Sequence, residues 1–146
     1  MMNLVNQKEP IDRFQGEYRW LSNFWPCEVE FEGIIFPSVE HAYQAVKSHS
    51  MRQRMKFLKL TAGQAKRQYV LKSQLTPYWE ARKTHVMWKL LKSKFLENDD
   101  LLAKLKSTKG RELIEGNTWG DTFWGQVDGK GDNNLGKMIM MIREIT

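Results

Sequence analysis

The stretch Cys27-Glu-Val-Glu-Phe-Glu-Gly-Ile-Ile-Phe36 runs directly into Pro37-Ser-Val-Glu-His-Ala-Tyr-Gln-Ala-Val-Lys47, and its apolar period changes at the join. Val29 and Phe31 alternate with Glu28, Glu30 and Glu32, the period-2 pattern of a half-buried strand. Gly33 breaks the alternation and predicts a hairpin with Glu32-Gly33 at its tip, although Glu-Gly is a weaker turn signal than Asn-Gly. Pro37 has no amide to give a ladder, and Ser38 is a good N-cap for a helix beginning at Val39. From there Val39, Ala42, Tyr43 and Val46 form one apolar stripe at helical spacing. Glu40, Gln44 and Lys47 share the neighbouring face at i, i+4 and i+7.

Strand pair then helix sets the pattern, and helix dominates the rest of the chain. Thr61-Ala-Gly-Gln64 matches the capping box and opens a helix through about Leu71. Thr76-Pro77 reads as a cap followed by proline at the first helical position, starting a helix with Trp79, Val86, Leu90, Leu91 and Phe95 that reaches about Asn98. Asp99 or Asp100 restarts a short helix carrying Leu101, Leu102 and Leu105, which Gly110 ends. A short strand is expected over Arg111–Ile114. Beyond it lies a stretch rich in Gly, Asn, Asp and Trp, too dense in turn formers for regular structure but anchored by Trp119, Phe123 and Trp124. An amphipathic helix over Leu135–Ile145 closes the chain, and residues 1–12 read as a lead-in. The expected architecture is α+β: one mostly helical domain over 1–146 with a small β-sheet.

Composition agrees with a packed domain. The 146 residues include six Trp, seven Phe and four Tyr, enough core material to exclude whole-chain disorder. No apolar run nears the ~20 residues that span a bilayer, and MMNLVNQKEP lacks the apolar centre of a secretory signal, so a soluble, cytoplasmic protein is expected. The single Cys27 allows no internal disulfide. Lys+Arg exceed Asp+Glu by 23 to 17, a net charge of +6. The excess is spread at helical spacing over residues 47–111, which favours solvated helix faces over a dedicated nucleic-acid surface.

Three segments combine polar groups with aromatics. In the first, Glu17, Ser22 and Asn23 stand among Phe14, Tyr18, Trp20, Phe24 and Trp25; this is equally a loop packing its rings into the core. The second is the Glu40/Gln44/Lys47 face, where a first-turn carboxylate is also an ordinary helix-start residue. The third is the glycine-rich stretch, with Glu115, Asn117, Asp121, Asp128, Asp132, Asn133 and Asn134. Asp121 sits between Gly120 and Phe123-Trp124, which would partly desolvate it. The Asp128–Asn134 run is rich in oxygens but lacks the glutamate that completes an EF-hand loop. His41, His49 and His85 have no metal-ligand spacing, so neither metal nor cofactor is expected.

The order of these motifs resembles the NADAR superfamily, and within it the YbiA-like N-glycosidases. The residues that carry the resemblance are Gly16-Glu17-Tyr18, Leu21-Ser22-Asn23-Phe24, Pro37-x-x-Glu40-His41-x-x-Gln44-x-x-Lys47, Trp79-x-x-Arg82, Lys94-Phe95, Glu115-x-x-x-Trp119-x-Asp121-x-x-Trp124-Gly125 and Asn134-Leu-Gly-Lys137. They extend over nearly the whole chain in the family's order. The chain departs at Trp25, where a smaller aromatic is common, and at Cys27; neither change removes a polar group.

The resemblance implies hydrolysis of a bond between ribose and a nitrogen heterocycle, with phosphorylated ribosylamino-pyrimidine intermediates of riboflavin synthesis as substrates. An ADP-ribosyl glycohydrolase acting on guanine bases of nucleic acid is the alternative, as is a non-catalytic ADP-ribose or NAD-binding module. The partner is thus a phosphorylated ribosyl or ADP-ribosyl small molecule, with nucleic acid only as an ADP-ribosylated substrate and no membrane. Breaking the C1′–N bond leaves an oxocarbenium-like ribose that a carboxylate can stabilise or supply with water. Glu40 and Asp121 are the candidates. Lys47 is either a phosphate-binding cation or an amine nucleophile toward a ring-opened ribose. Trp20, Phe24, Trp79 and Trp124 are expected to wall the pocket, with Ser22, Asn23, Gln44, Glu115 and Asn134 as polar contacts and Arg82 and Lys137 as phosphate contacts.

Overall fold

The computed structural model describes residues 9–146, so the first eight positions of the expected lead-in lie outside the described residues. The chain forms two compact units, one built from Asn23–Asn98 and the other from residues up to Ser22 together with Asp99–Thr146.

In the Asn23–Asn98 unit, β1 (Val29–Phe31) pairs antiparallel with β2 (Ile34–Phe36), Val29 opposite Phe36 and Phe31 opposite Ile34. The two-residue tip needs left-handed backbone at both positions, and Glu32 (φ 49°) and Gly33 (φ 89°) supply it. The Gly33 amide donates to the Glu30 carboxylate at 2.8 Å, which holds the tip closed. Next comes α1 (Val39–Ala45), whose cap is the expected one: Ser38 Oγ accepts from the His41 amide. Every residue of α1 is buried, a step beyond the one-sided stripe in the sequence. The physical reason is position, since both strands and the three other helices of the unit pack around it. Burying polar residues there demands partners. His41 finds them in Ser38 Oγ (2.6 Å) and the Leu60 carbonyl (2.7 Å).

The remaining helices of this unit are α2 (Met51–Lys56), α3 (Ala62–Arg67) and α4 (Trp79–Leu96). The Thr61/Gln64 capping box forms as read, but α3 ends four residues before Leu71 because Gln68 turns extended. Thr76 does not cap α4. Its amide donates to the Lys47 carbonyl at 2.6 Å and its hydroxyl to that of Val46 at 2.8 Å, so the residue ties the α4 lead-in to the end of α1. Tyr78 takes the cap position without a side-chain bond.

Lys94 is the anomaly of the core. It is fully buried in α4, and burial drives its pKa down to about 7, with the Cys27 thiol pulling the other way. A lysine held below its unfolded value of 10.5 contributes stability that is whole above that value and lost as pH falls through about 7. Wild-type stability should therefore climb between pH 7 and 9 by about 1 kcal/mol per pH unit more than that of Lys94→Met. Urea denaturation at three pH values reads the slope directly; parallel curves would show that Lys94 does not titrate in this range.

The other unit contains a 3-10 turn at Gly16–Leu21, α5 (Asp99–Ser107) and α6 (Asn134–Glu144). The strand expected at Arg111–Ile114 reduces to one parallel bridge, in which Leu113 lies opposite Ile11. Among the described residues, no second run of extended chain prolongs the ladder. The glycine-rich stretch is ordered by its own side chains. Buried Asn133 accepts from the Glu115 amide and donates to the Leu113 carbonyl, both at 2.9 Å. Gly136 completes this junction: a Cβ there would stand 2.1 Å from the Leu113 carbonyl oxygen. Among the described residues, no helix is long and apolar enough to cross a membrane.

Candidate active site

Of the face expected from i, i+4, i+7 spacing, the Glu40/Gln44 part forms on the helix, while α1 ends at Ala45, before Lys47. Gln44 Nε2 donates to Glu40 Oε2 at 2.8 Å inside the buried α1. Burial pushes the Glu40 carboxyl above its ordinary value, against the lowering influence of the Gln44 bond and of Lys66, Lys47 and His41. Lys47, just past the helix and half-buried, moves oppositely. Desolvation lowers its pKa and Lys83 adds to this, while Glu40 and Glu80 act to raise it. A carboxyl biased toward its acid form thus stands within electrostatic reach of an amine biased toward its free base. This is the proton inventory of an acid beside a nucleophile or base.

Rings lie beside the two lysines that act on Glu40. Lys47 Nζ lies 5.3 Å from the Tyr43 centroid, and Tyr43 meets Trp79 at 5.4 Å with the rings tilted by 53°. Lys66 Nζ lies 5.7 Å from the Phe24 centroid. Asn23 is tied to the helix start, since its carbonyl accepts from the Glu40 amide at 2.9 Å. Its Oδ1 is buried with no hydrogen-bond partner, an exception to the usual satisfaction of buried polar atoms. Arg82 is exposed on α4. So the Asn23–Asn98 unit brings Asn23, Phe24, Glu40, Gln44, Lys47 and Trp79 onto the elements around α1.

The second unit assembles the other predicted residues. Asp121 Oδ1 accepts from the amides of Phe123 (3.1 Å) and Trp124 (2.8 Å), and so sets the edge-to-face packing of those rings at 4.8 Å. Asn134 Nδ2 donates to the Phe123 carbonyl at 2.9 Å. The Glu115 carboxylate lies 3.3 Å from Asn117 Nδ2, and Asn117 also braces the backbone of Asp121 from both its amide and carbonyl sides. Trp20 is a buried core ring in the 3-10 turn, Ser22 is half-buried just after it, and Lys137 is exposed on α6. No group of three or more His, Cys, Asp or Glu among the described residues is placed to hold a metal.

Sequence reasoning missed Tyr43 and Lys66 as site residues. Tyr43 reads as part of an apolar stripe, and its contact with Lys47 at i+4 was the available signal. Lys66 carries no local signal; tertiary packing alone brings its charge to bear on Glu40.

Comparison with known proteins identifies the family. The NADAR domain model matches residues 11–145. N-glycosidase YbiA of Escherichia coli is 34% identical over 133 residues, covering 88% of this chain and 81% of that protein. An N-glycosidase of Nostoc punctiforme is 32% identical over 133 residues, with 87% and 85% covered. A riboflavin biosynthesis protein of Vibrio vulnificus is 36% identical over 144 residues, but the match spans only 38% of its length. The NMR structure of E. coli YbiA superposes with a TM-score of 0.76 at 31% identity, covering 94% of this chain and 85% of that one. The chain belongs to the NADAR domain family, as a YbiA-like member with the α+β fold of that group.

Proposed function

We propose that the protein is an N-glycosidase that hydrolyses the bond between ribose and a nitrogen heterocycle, with phosphorylated ribosylamino-pyrimidines as the substrate class. The observation that carries the reading is the buried Glu40–Gln44 pair beside half-buried Lys47, with the two ionisable groups displaced in opposite directions. In a ribosylamine the sugar ring opens to leave an imine at C1′. Lys47 Nζ adds to C1′, and the C1′–N bond to the heterocyclic amine breaks as that nitrogen takes a proton from Glu40. Water then hydrolyses the lysine imine, which frees the amine and leaves the aldehyde of ribose 5-phosphate. Gln44 holds the acid in place. Asn23 Oδ1, buried without a protein hydrogen-bond donor, is assigned to a substrate hydroxyl.

In the other unit, Asp121 Oδ1 is committed to the loop backbone, where it sets the packing of Phe123 and Trp124. Within the Asn23–Asn98 unit, Arg82, exposed on α4, is assigned to phosphate. The relatives named N-glycosidases support the reaction class, and the one named a riboflavin biosynthesis protein supports a ribosyl small molecule as substrate. The direct test offers purified protein a ribosylamino-pyrimidine phosphate and an ADP-ribosylated guanine oligonucleotide in parallel. Release of free pyrimidine from the first, much faster than release of ADP-ribose from the second, is expected. The opposite preference would reassign the substrate, and inertness toward both would end the enzyme reading.

A further inference from the structure

Four non-glycine residues among those described hold a left-handed backbone: Glu32, Tyr78, Asp128 and Asn133. Three have a local reason. Glu32 makes the hairpin tip, Asp128 precedes Gly129 in a turn, and Asn133 is braced by two hydrogen bonds to the strand-like segment before it. Tyr78 has none. It is a bulky aromatic at φ 58°, where its Cβ is crowded, its side chain makes no cap, and the residue is 80% exposed. Folding therefore bears the backbone strain without burying the ring. Strain of this kind persists where the surroundings over-determine it and clusters at functional positions. Here the surroundings do so from both sides: Thr76, two residues back, is bonded to the carbonyls of Val46 and Lys47, while the Tyr78 carbonyl accepts the first amides of α4, from Ala81 and Arg82.

The position is also chemically pointed. Trp79 meets Tyr43, over whose ring Lys47 Nζ sits, and the charges of Glu80 and Lys83 act on Lys47. Trp79 and Tyr43 are both buried, whereas Tyr78, the chain neighbour of Trp79, is exposed. We propose that Tyr78 is a specificity residue whose exposed ring stacks on the heterocycle of the ribosyl substrate, retained at a strained position for binding rather than for folding. The assignment rests on the N-glycosidase reading above.

Tyr78→Gly separates the two effects, because glycine relieves the backbone and removes the ring. Its melting temperature should rise by about 2–4 °C. Its calorimetric affinity for a ribosylamino-pyrimidine phosphate should fall fivefold or more, as loss of one stacking ring implies. Affinity for ribose 5-phosphate, which has no heterocycle, should stay within twofold, and Tyr78→Phe should restore heterocycle binding. Unchanged heterocycle affinity in Tyr78→Gly, or a lowered melting temperature, overturns this assignment alone. Failure of the wild-type protein to bind either ligand overturns it together with the proposed function.

Discussion

Lys47→Arg is expected to lose turnover by on the order of a thousandfold or more, with the fold retained. Arginine keeps the positive charge, so it can still attract phosphate. Its guanidinium stays protonated and cannot form an imine with C1′. The native lysine is suited to the opposite behaviour, since burial lowers its pKa despite the carboxylates of Glu40 and Glu80 nearby. A free amine is the nucleophilic form, and partial burial raises its share at neutral pH. Borohydride added during turnover should trap a ribose 5-phosphate adduct on Lys47 in the native protein and none in the variant, which mass spectrometry detects by peptide. Near-native rates in Lys47→Arg would reject the imine pathway and return Lys47 to phosphate binding.

Glu40→Gln should reduce turnover by about a hundredfold to a thousandfold, the range lost with a positioned general acid. Unlike most losses in a buried helix, this one should not cost stability. The Gln side chain still offers an oxygen to Gln44 Nε2, so the 2.8 Å bond survives. The native carboxyl has a folded pKa above its unfolded value of 4.5. Its favourable contribution is therefore full below that value and is lost as pH rises through the folded pKa. At pH 7 the variant should melt at or above the native temperature, and below about pH 4 the advantage should vanish. A rate loss accompanied by a falling melting temperature at pH 7 would mean that Glu40 acts on the fold and not as the proton source.

What could be read along the chain was whatever depends on a few neighbouring residues. The Glu32-Gly33 tip, the Ser38 cap and the Thr61/Gln64 box each bond within four residues, so their chemistry is written locally. The face shared by Glu40 and Gln44 follows from helical pitch alone. The misreadings occurred where distant chain competes. Thr76 looks like a cap but bonds to Val46 and Lys47, and the strand at Arg111–Ile114 shrank to a bridge with Ile11. The sequence by itself thus determined the hairpin, the run of helices and which side chains share a face, because these depend on turn geometry, capping and period. Only the tertiary structure decided that α1 is buried on all sides, and with it the opposite shifts of Glu40 and Lys47, the submerged Lys94 and the bare ring of Tyr78. Desolvation depends on everything packed around a group, most of it far away along the chain, and no spacing of letters encodes that sum.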